Sequence, residues 1–169
     1  MHVKDAIKNR RSVRAYTDKN VPKKLIMELI EAARLAPSGN NTQPWKYKII
    51  TSAQDKKLLK EHKIFKQSFV YTAPVIILCC SDPRFYPSEK FDKDYDSTNE
   101  FRALRDLCLS TQNLILRATE LDLGTCYVGW MNKTEVKKIF KLPEQYIVPF
   151  VITVGYPKIN PPDGMEPVM

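Results

Sequence analysis

The chain has 169 residues, of which 43% are hydrophobic and 27% charged, enough for one domain with a buried core. No apolar run approaches the roughly 20 residues of a membrane helix, and the N-terminus lacks a signal-peptide core, so we expect a cytoplasmic protein without a membrane partner. The net charge of +8 would suit nucleic acid, but the lysines are spread over several predicted helices, so we expect no nucleic-acid partner.

The first third of the chain is predicted to form two helices and a strand. Residues 3–9 read as a short helix, and Asn20, Val21 and Pro22 open a second helix, which Pro37 ends. Residues 45–51 alternate enough to form a strand, and Ser52 begins a third helix. The second helix should bury a stripe at helical spacing, formed by Leu25, Ile26, Leu29, Ile30 and Ala33.

The middle of the chain is predicted to hold a buried strand and the longest helix. Residues 75–80 are continuously apolar, which indicates a strand covered on both faces. The capping-box spacing of Ser97-Thr98-Asn99-Glu100 begins the longest helix, which runs to about Leu121. We expect one face of it to carry Phe101, Leu104, Cys108, Ile115 and Ala118. Other leucines widen the apolar surface beyond a stripe, so a second copy of the chain could cover it.

The last third is predicted to add two strands and a small helix. Residues 125–128 and 148–154 read as strands, and Asn132 caps the helix between them. Residues 158–169 form a proline-rich tail without a periodic pattern. Helices and strands alternate without a regular βαβ rhythm, so we predict an α+β fold in a single domain over residues 1–169.

The cysteine and histidine pattern favours packing over metal binding. No Cys-x-x-Cys pair occurs, and His2 and His62 lack a second ligand at a suitable spacing, so we predict no metal site. We expect the cysteines to be small buried hydrophobes: Cys79, Cys80, Cys108 and Cys126.

Two short segments carry the functional signal. The arginine segment, residues 10–16, places three guanidiniums and the Ser12 hydroxyl within five residues, and guanidinium suits phosphate. The asparagine loop, residues 36–45, combines small residues, amides and a turn-forming Pro-Ser-Gly run. Such a loop lets backbone approach a flat ligand. A third and weaker motif is the glycine segment, residues 124–129, of sequence Gly-Thr-Cys-Tyr-Val-Gly.

With these three motifs in this order, the chain resembles the nitroreductase family of FMN-dependent NAD(P)H oxidoreductases, from about Val3 to Pro157. The resemblance implies a mostly antiparallel central sheet surrounded by helices, and a homodimer with FMN at the subunit interface. NADH or NADPH would be the reductant. No Gly-x-Gly-x-x-Gly or Walker A segment occurs, so a nicotinamide would share the pocket of the second substrate.

The resemblance also assigns residues to the cofactor. It implies that Arg10 and Ser12 contact the phosphate, that Arg14 reaches the pyrimidine end of the flavin, and that Arg11 touches the cofactor. From the asparagine loop of the neighbouring subunit, the flavin would be lined by Pro37, Ser38, Gly39 and Asn41. The segment under the flavin ring would consist of Tyr127, Val128 and Gly129. No residue is assigned as catalytic, because the flavin itself performs the redox step.

Two features remain open after the resemblance is drawn. Family members usually carry a Lys or Arg soon after the Gly-Tyr-Pro turn, and here only Lys158 could serve. A further polar contact to the flavin could come from Lys66 or Gln67. The polar segment at residues 81–98 is expected to shape the acceptor pocket, through Phe85, Tyr86, Phe91 and Tyr95, or else to cover the sheet edge.

The predicted function is ping-pong transfer of hydride from NAD(P)H through FMN to a small-molecule acceptor, such as a nitro compound or quinone. The alternative is an FMN-binding sensor or carrier without nicotinamide turnover. The physiological acceptor and the choice between NADH and NADPH depend on pocket geometry.

Overall fold

The fold is an antiparallel sheet with helices on both faces, which confirms the predicted α+β class. The computed structural model describes residues 1–86 and 98–158. The strands lie in the order β1-β2-β4-β3, and all three pairings are antiparallel. Their bounds are Trp45–Ile50 (β1), Val75–Ser81 (β2), Gly124–Val128 (β3) and Ile147–Gly155 (β4).

The helices begin close to the residues that the capping patterns predicted. The side chains of Ser52, Thr98 and Asn132 each accept a hydrogen bond from a backbone N–H of the first turn. Helix α4 was not predicted, because four residues make barely one turn and show no period. The bounds are Val3–Asn9 (α1), Lys23–Arg34 (α2), Ala53–Glu61 (α3), Phe69–Thr72 (α4), Asn99–Glu120 (α5) and Lys133–Ile139 (α6).

The central strand β2 divides the core into two parts. All seven of its residues are buried: the six of the predicted apolar run, and Ser81, which the sequence had assigned to the polar segment. Ile77 and Cys79 pack with residues of α2 and α5, whereas Ile76 and Leu78 pack with residues of α3, α4 and α6 on the opposite face. This alternation is the two-residue period of a strand, and it places helices on both faces of the sheet.

The buried face of α5 differs from the predicted one. Ile115 and Ala118 are buried as expected, but Phe101 and Cys108 lie on the surface of the chain. The predicted face was chosen by hydrophobicity, yet the buried face also holds polar side chains. The buried residues are Ala103, Asp106, Leu107, Ser110, Thr111, Leu114, Ile115 and Ala118.

The other three cysteines are buried as expected. Among the described residues, no helix combines the length and the apolar character that crossing a membrane requires.

Candidate functional site

The arginine segment lies alongside β3. Ser12 forms a parallel bridge with Thr125, and the Val13 N–H donates to the Thr125 carbonyl at 2.8 Å. Gly124 permits this approach, because a Cβ at that position would lie 2.6 Å from a Val13 methyl carbon. The first and third motifs, more than a hundred residues apart in the chain, therefore form one surface.

The same segment is also hydrogen-bonded to the residues that directly follow β4. The Thr17 N–H donates to the Tyr156 carbonyl at 2.9 Å, and the Lys158 N–H donates to the Ala15 carbonyl at 3.1 Å. Tyr16 is buried beneath the segment, and its hydroxyl contacts the Val13 carbonyl and Thr153 Oγ1, each at 2.7 Å. Lys158 therefore lies next to the arginine segment. The family resemblance leads us to expect a cation after the Gly-Tyr-Pro turn, and Lys158 is the candidate for it.

Three side chains of the arginine segment act electrostatically or by hydrogen bonding on one thiol of β3. Burial raises the pKa of Cys126, while the Arg14 charge, a hydrogen bond with Ser12 and the Arg10 charge each oppose that rise. Arg10 also acts on the neighbouring Tyr127, whose pKa burial raises to about 12. Arg10, Ser12 and Arg14 therefore converge on the same part of the β3 edge and concentrate positive charge there.

Arg11 is engaged differently from its neighbours. Its guanidinium donates to the carbonyls of Lys8 and Arg10, at 2.5 and 2.8 Å. These carbonyls belong to the end of α1, where the last turn leaves acceptors without helical partners. The side chain of Arg11 thus caps the C-terminal end of α1, the helix that directly precedes Arg10.

The three predicted residues at the end of β3 differ in exposure. Val128 is buried, so only its backbone could face a ligand, whereas Gly129 is exposed. The Tyr127 hydroxyl donates to Thr111 Oγ1 at 2.7 Å, and its ring packs edge-on against Phe150. These contacts hold Tyr127 against α5 and β4.

The asparagine loop has a tight and unusual backbone. Asn40, Asn41 and Gln43 all have positive φ angles, of 52°, 53° and 47°. Asparagine tolerates this conformation better than most residues, but glutamine does so less readily. Inside the loop, the Gln43 N–H donates to Ser38 Oγ at 3.0 Å, and Gln43 Nε2 donates to Asn41 Oδ1 at 3.0 Å. Pro37 and Asn41 are exposed.

Asp106 joins this loop to α5, and sequence reasoning did not identify it. The Gly39 N–H donates to Asp106 Oδ2 at 2.7 Å. Arg105 Nε donates to Asp106 Oδ1 at 2.8 Å, and the Tyr86 hydroxyl donates to Oδ2. Asp106 lies at helical spacing with Ala103 and Ser110, small residues that can face a core, and that spacing was the signal that could have revealed it.

Helix α5 thus supports two of the predicted ligand-lining elements. Asp106 binds the asparagine loop, and Thr111, five residues later, binds Tyr127. Five residues of helix correspond to a rise of about 7.5 Å. The two elements are therefore fixed to one rigid support.

Gln67 lies near the far end of β3 and has an unsatisfied group. Phe65 bridges to Met131, and the Asn132 N–H donates to the Ile64 carbonyl at 2.9 Å. Within the described residues, the buried Oε1 atom of Gln67 has no hydrogen-bond partner. Such an atom is costly unless a ligand or water satisfies it, which favours Gln67 over Lys66 as the extra polar contact.

The polar segment at residues 81–98 is described only in part. Ser81 belongs to β2, Phe85 is exposed, and Tyr86 is buried against Asp106. Tyr86 therefore packs inside the chain, and among the described residues Arg102 lies over its ring, which favours the packing role over stacking on an acceptor. Phe91 and Tyr95 lie outside the described residues.

Comparison with known proteins shows the family. The model of the nitroreductase family matches residues 7–64 and 54–156. A protein of Methanothermobacter thermautotrophicus is 32% identical over 166 residues, which cover 95% of this chain and 80% of that protein. Its name combines NADH dehydrogenase and NAD(P)H nitroreductase. The NADH dehydrogenase of Thermus thermophilus is 28% identical, with 93% and 87% of the two chains covered.

The structural comparison agrees with the sequence comparison. A nitroreductase family protein from Clostridium difficile 630 superposes with a TM-score of 0.79 at 28% identity, covering 96% of this chain and 88% of that one. The residues that the family model matches include the arginine segment, the asparagine loop and β3. The chain therefore belongs to the nitroreductase family of NAD(P)H oxidoreductases.

Proposed function

We propose that the protein is an FMN-dependent oxidoreductase. In this proposal NAD(P)H reduces the flavin, and a nitro compound, quinone or similar acceptor then reoxidises it in the same pocket. The observation that carries the proposal is the convergence of Arg10, Ser12 and Arg14 on the edge of β3. A cationic, hydroxyl-bearing surface of this kind suits a phosphate monoester.

The donors around this surface fit the phosphate of FMN. Arg10 and Arg14 provide forked donors, and Ser12 provides a hydroxyl on an exposed stretch of backbone. The exposed Lys158 is attached to Ala15, so its ammonium can add to the same field. These residues would bind and orient the phosphate end.

The groups at the end of β3 fit the ring of the cofactor. The exposed Gly129 offers a backbone N–H, and the unsatisfied Gln67 oxygen offers an acceptor for a ring N–H. When bound, FMN would supply the two-electron chemistry, so the side chains need only bind, orient and exclude water. This is why no catalytic side chain is assigned.

We further propose that the active form is a homodimer. On the surface of α5, Phe101 is 58% exposed and Leu109 is 44% exposed, and Leu35 and Trp130 are exposed elsewhere on the chain. Large apolar side chains on a helix face are usually covered in an assembly. The exposed Pro37 and Asn41 of the asparagine loop would then be available to a flavin held by the other subunit.

The test is anaerobic spectroscopy of the purified protein reconstituted with FMN. We expect a yellow protein whose visible absorption band from oxidised flavin bleaches with NADH or NADPH and returns when a quinone or nitroaromatic compound is added. The extracted cofactor should be FMN, because the chain offers no separate dinucleotide-binding motif for an adenine half.

Each other outcome leads to a different conclusion. Failure to take up any flavin would reject the proposal, and exclusive uptake of FAD would reject its cofactor. A bound FMN that neither nicotinamide reduces would favour a sensor or carrier.

A further inference from the structure

The asparagine loop is anchored to the rest of the chain through one buried carboxylate. We propose that Asp106 is a positioning residue for FMN binding: by accepting the Gly39 N–H, it fixes the backbone of the loop that lines the cofactor. The inference rests on the proposed function, since it assumes that this loop meets FMN. Asp106 itself is fully buried and acts through the loop.

The loop needs such an anchor because its backbone is not favourable by itself. Three of its residues occupy positive φ, a region that costs free energy for residues other than glycine. Strained conformations of this kind persist only where surrounding contacts determine them. The internal bonds from Gln43 to Ser38 and Asn41 fix the shape of the loop, but they do not fix its position on the fold.

The contacts of Asp106 suit this positioning role. One carboxylate oxygen accepts from both the Gly39 N–H and the Tyr86 hydroxyl, and the other accepts from Arg105 Nε. A charged acceptor makes stronger hydrogen bonds than a neutral one. The contact is also sterically tight, since a Cβ on Gly39 would lie 3.3 Å from Arg105 Nη2 and 3.4 Å from the Tyr86 ring.

Asparagine at this position would remove the charge at nearly the same volume. Its single carbonyl oxygen can face either Arg105 or the pair formed by the Gly39 N–H and the Tyr86 hydroxyl, so its amide group opposes a donor in either orientation. The acceptor that remains for the Gly39 N–H is also uncharged and therefore weaker. We expect a local consequence. The loop would lose its fixed position, while the core on both faces of the sheet would keep its packing.

The test compares Asp106→Asn with the parent in two measurements. In flavin-free protein, we expect amide hydrogen exchange within residues 38–43 to become at least about tenfold faster, with exchange in β2 unchanged. In an FMN titration, we expect the dissociation constant to rise about tenfold. The visible circular dichroism of bound FMN should also change, because the ring environment is altered.

The matched control is Glu28→Gln, which makes the same carboxylate-to-amide change in a contact of α5. Glu28 pairs with Arg117 at 2.5 Å, 11 positions along α5 from Asp106. We expect this variant to leave both loop exchange and FMN affinity at the parent values. Equal effects of the two variants, or faster exchange in β2 and the loop alike, would show a merely structural role and overturn the proposal.

A second variant tests the inference if Asp106→Asn does not fold. Tyr86→Phe removes the hydroxyl that shares Oδ2 with the Gly39 N–H and holds that oxygen in place, so the anchor should be less well oriented. We expect about threefold faster loop exchange and about threefold weaker FMN binding. Unchanged values in this variant would overturn the proposal. A parent protein that binds no FMN would refute the proposed function, whereas the exchange measurement would still decide whether Asp106 anchors the loop.

Discussion

Arg10 lies half-buried at the end of α1, where its charge reaches both Cys126 and Tyr127. We predict that Arg10→Ala weakens FMN binding about 10- to 150-fold, because a charge-assisted contact contributes about 1.5–3 kcal/mol. Isothermal titration with FMN measures the change. Lys57→Ala, which removes an exposed cation on α3, is the control and should bind FMN like the parent. Unchanged affinity in Arg10→Ala would make this arginine an ordinary surface residue.

Lys158 is a second cation next to the arginine segment. Its backbone is bonded to Ala15, but its side chain is exposed, so water and salt screen its charge. We predict that Lys158→Ala lowers FMN affinity less than about fivefold, and that the loss shrinks as salt is added. A loss as large as that of Arg10→Ala would instead make Lys158 a principal phosphate ligand.

Among the elements, the pairing of the arginine segment with β3 depends on Gly124. An added Cβ would lie 2.6 to 2.9 Å from Val13 side-chain carbons, so the segment must move outward. We predict that Gly124→Ala lowers the free energy of unfolding by about 1–3 kcal/mol and weakens FMN binding. Urea unfolding and an FMN titration measure the two effects. Gly129→Ala is the matched control for stability, because its Cβ would meet only the Pro149 carbonyl, at 3.6 Å.

The assembly of the whole molecule is predicted from the outer face of α5. Obligate dimer interfaces bury about 2,000 Å² or more in total, and an unpaired carboxylate there is costly. We therefore expect the parent to sediment as a dimer and Leu109→Glu to shift it toward monomer, with loss of bound FMN. Lys57→Glu, a charge change on α3, should remain dimeric. A parent that is monomeric and still holds FMN would contradict the prediction.

Alkaline pH should destabilise the whole fold through its buried phenols. Burial raises the pKa of Tyr16, Tyr47 and Tyr127 above the value of about 10 that is usual for a tyrosine phenol. A raised folded-state pKa gives stability that is fully present below the unfolded-state value and is lost as pH rises beyond it. We predict that the free energy of unfolding falls from about pH 10 upward. Urea titrations at several pH values should show a shallower fall for Tyr47→Phe, and an equal slope would contradict this cause.

Local sequence signals predicted most of the elements of this protein. The caps at Ser52 and Asn132, the capping box that precedes α5, the continuous apolar run of β2 and the turn residues after α2 depend on neighbours within a few positions. Such short-range patterns can be read without knowing the fold. Trp45 is buried at the start of β1, the strand that the sequence predicted over residues 45–51.

The tertiary structure alone decided which of these local features meet. The Gly39–Asp106 contact joins residues 67 positions apart, and the Tyr16–Thr153 contact joins residues 137 positions apart. Sheet order brings such residues together, and local spacing carries no information about that order. The same reason explains α5: hydrophobicity alone favoured Phe101 and Cys108 as buried, but packing against the sheet buried Asp106 and Thr111 instead. The sequence thus determined the elements and the family motifs, whereas long-range packing determined how those motifs form one surface and what supports it.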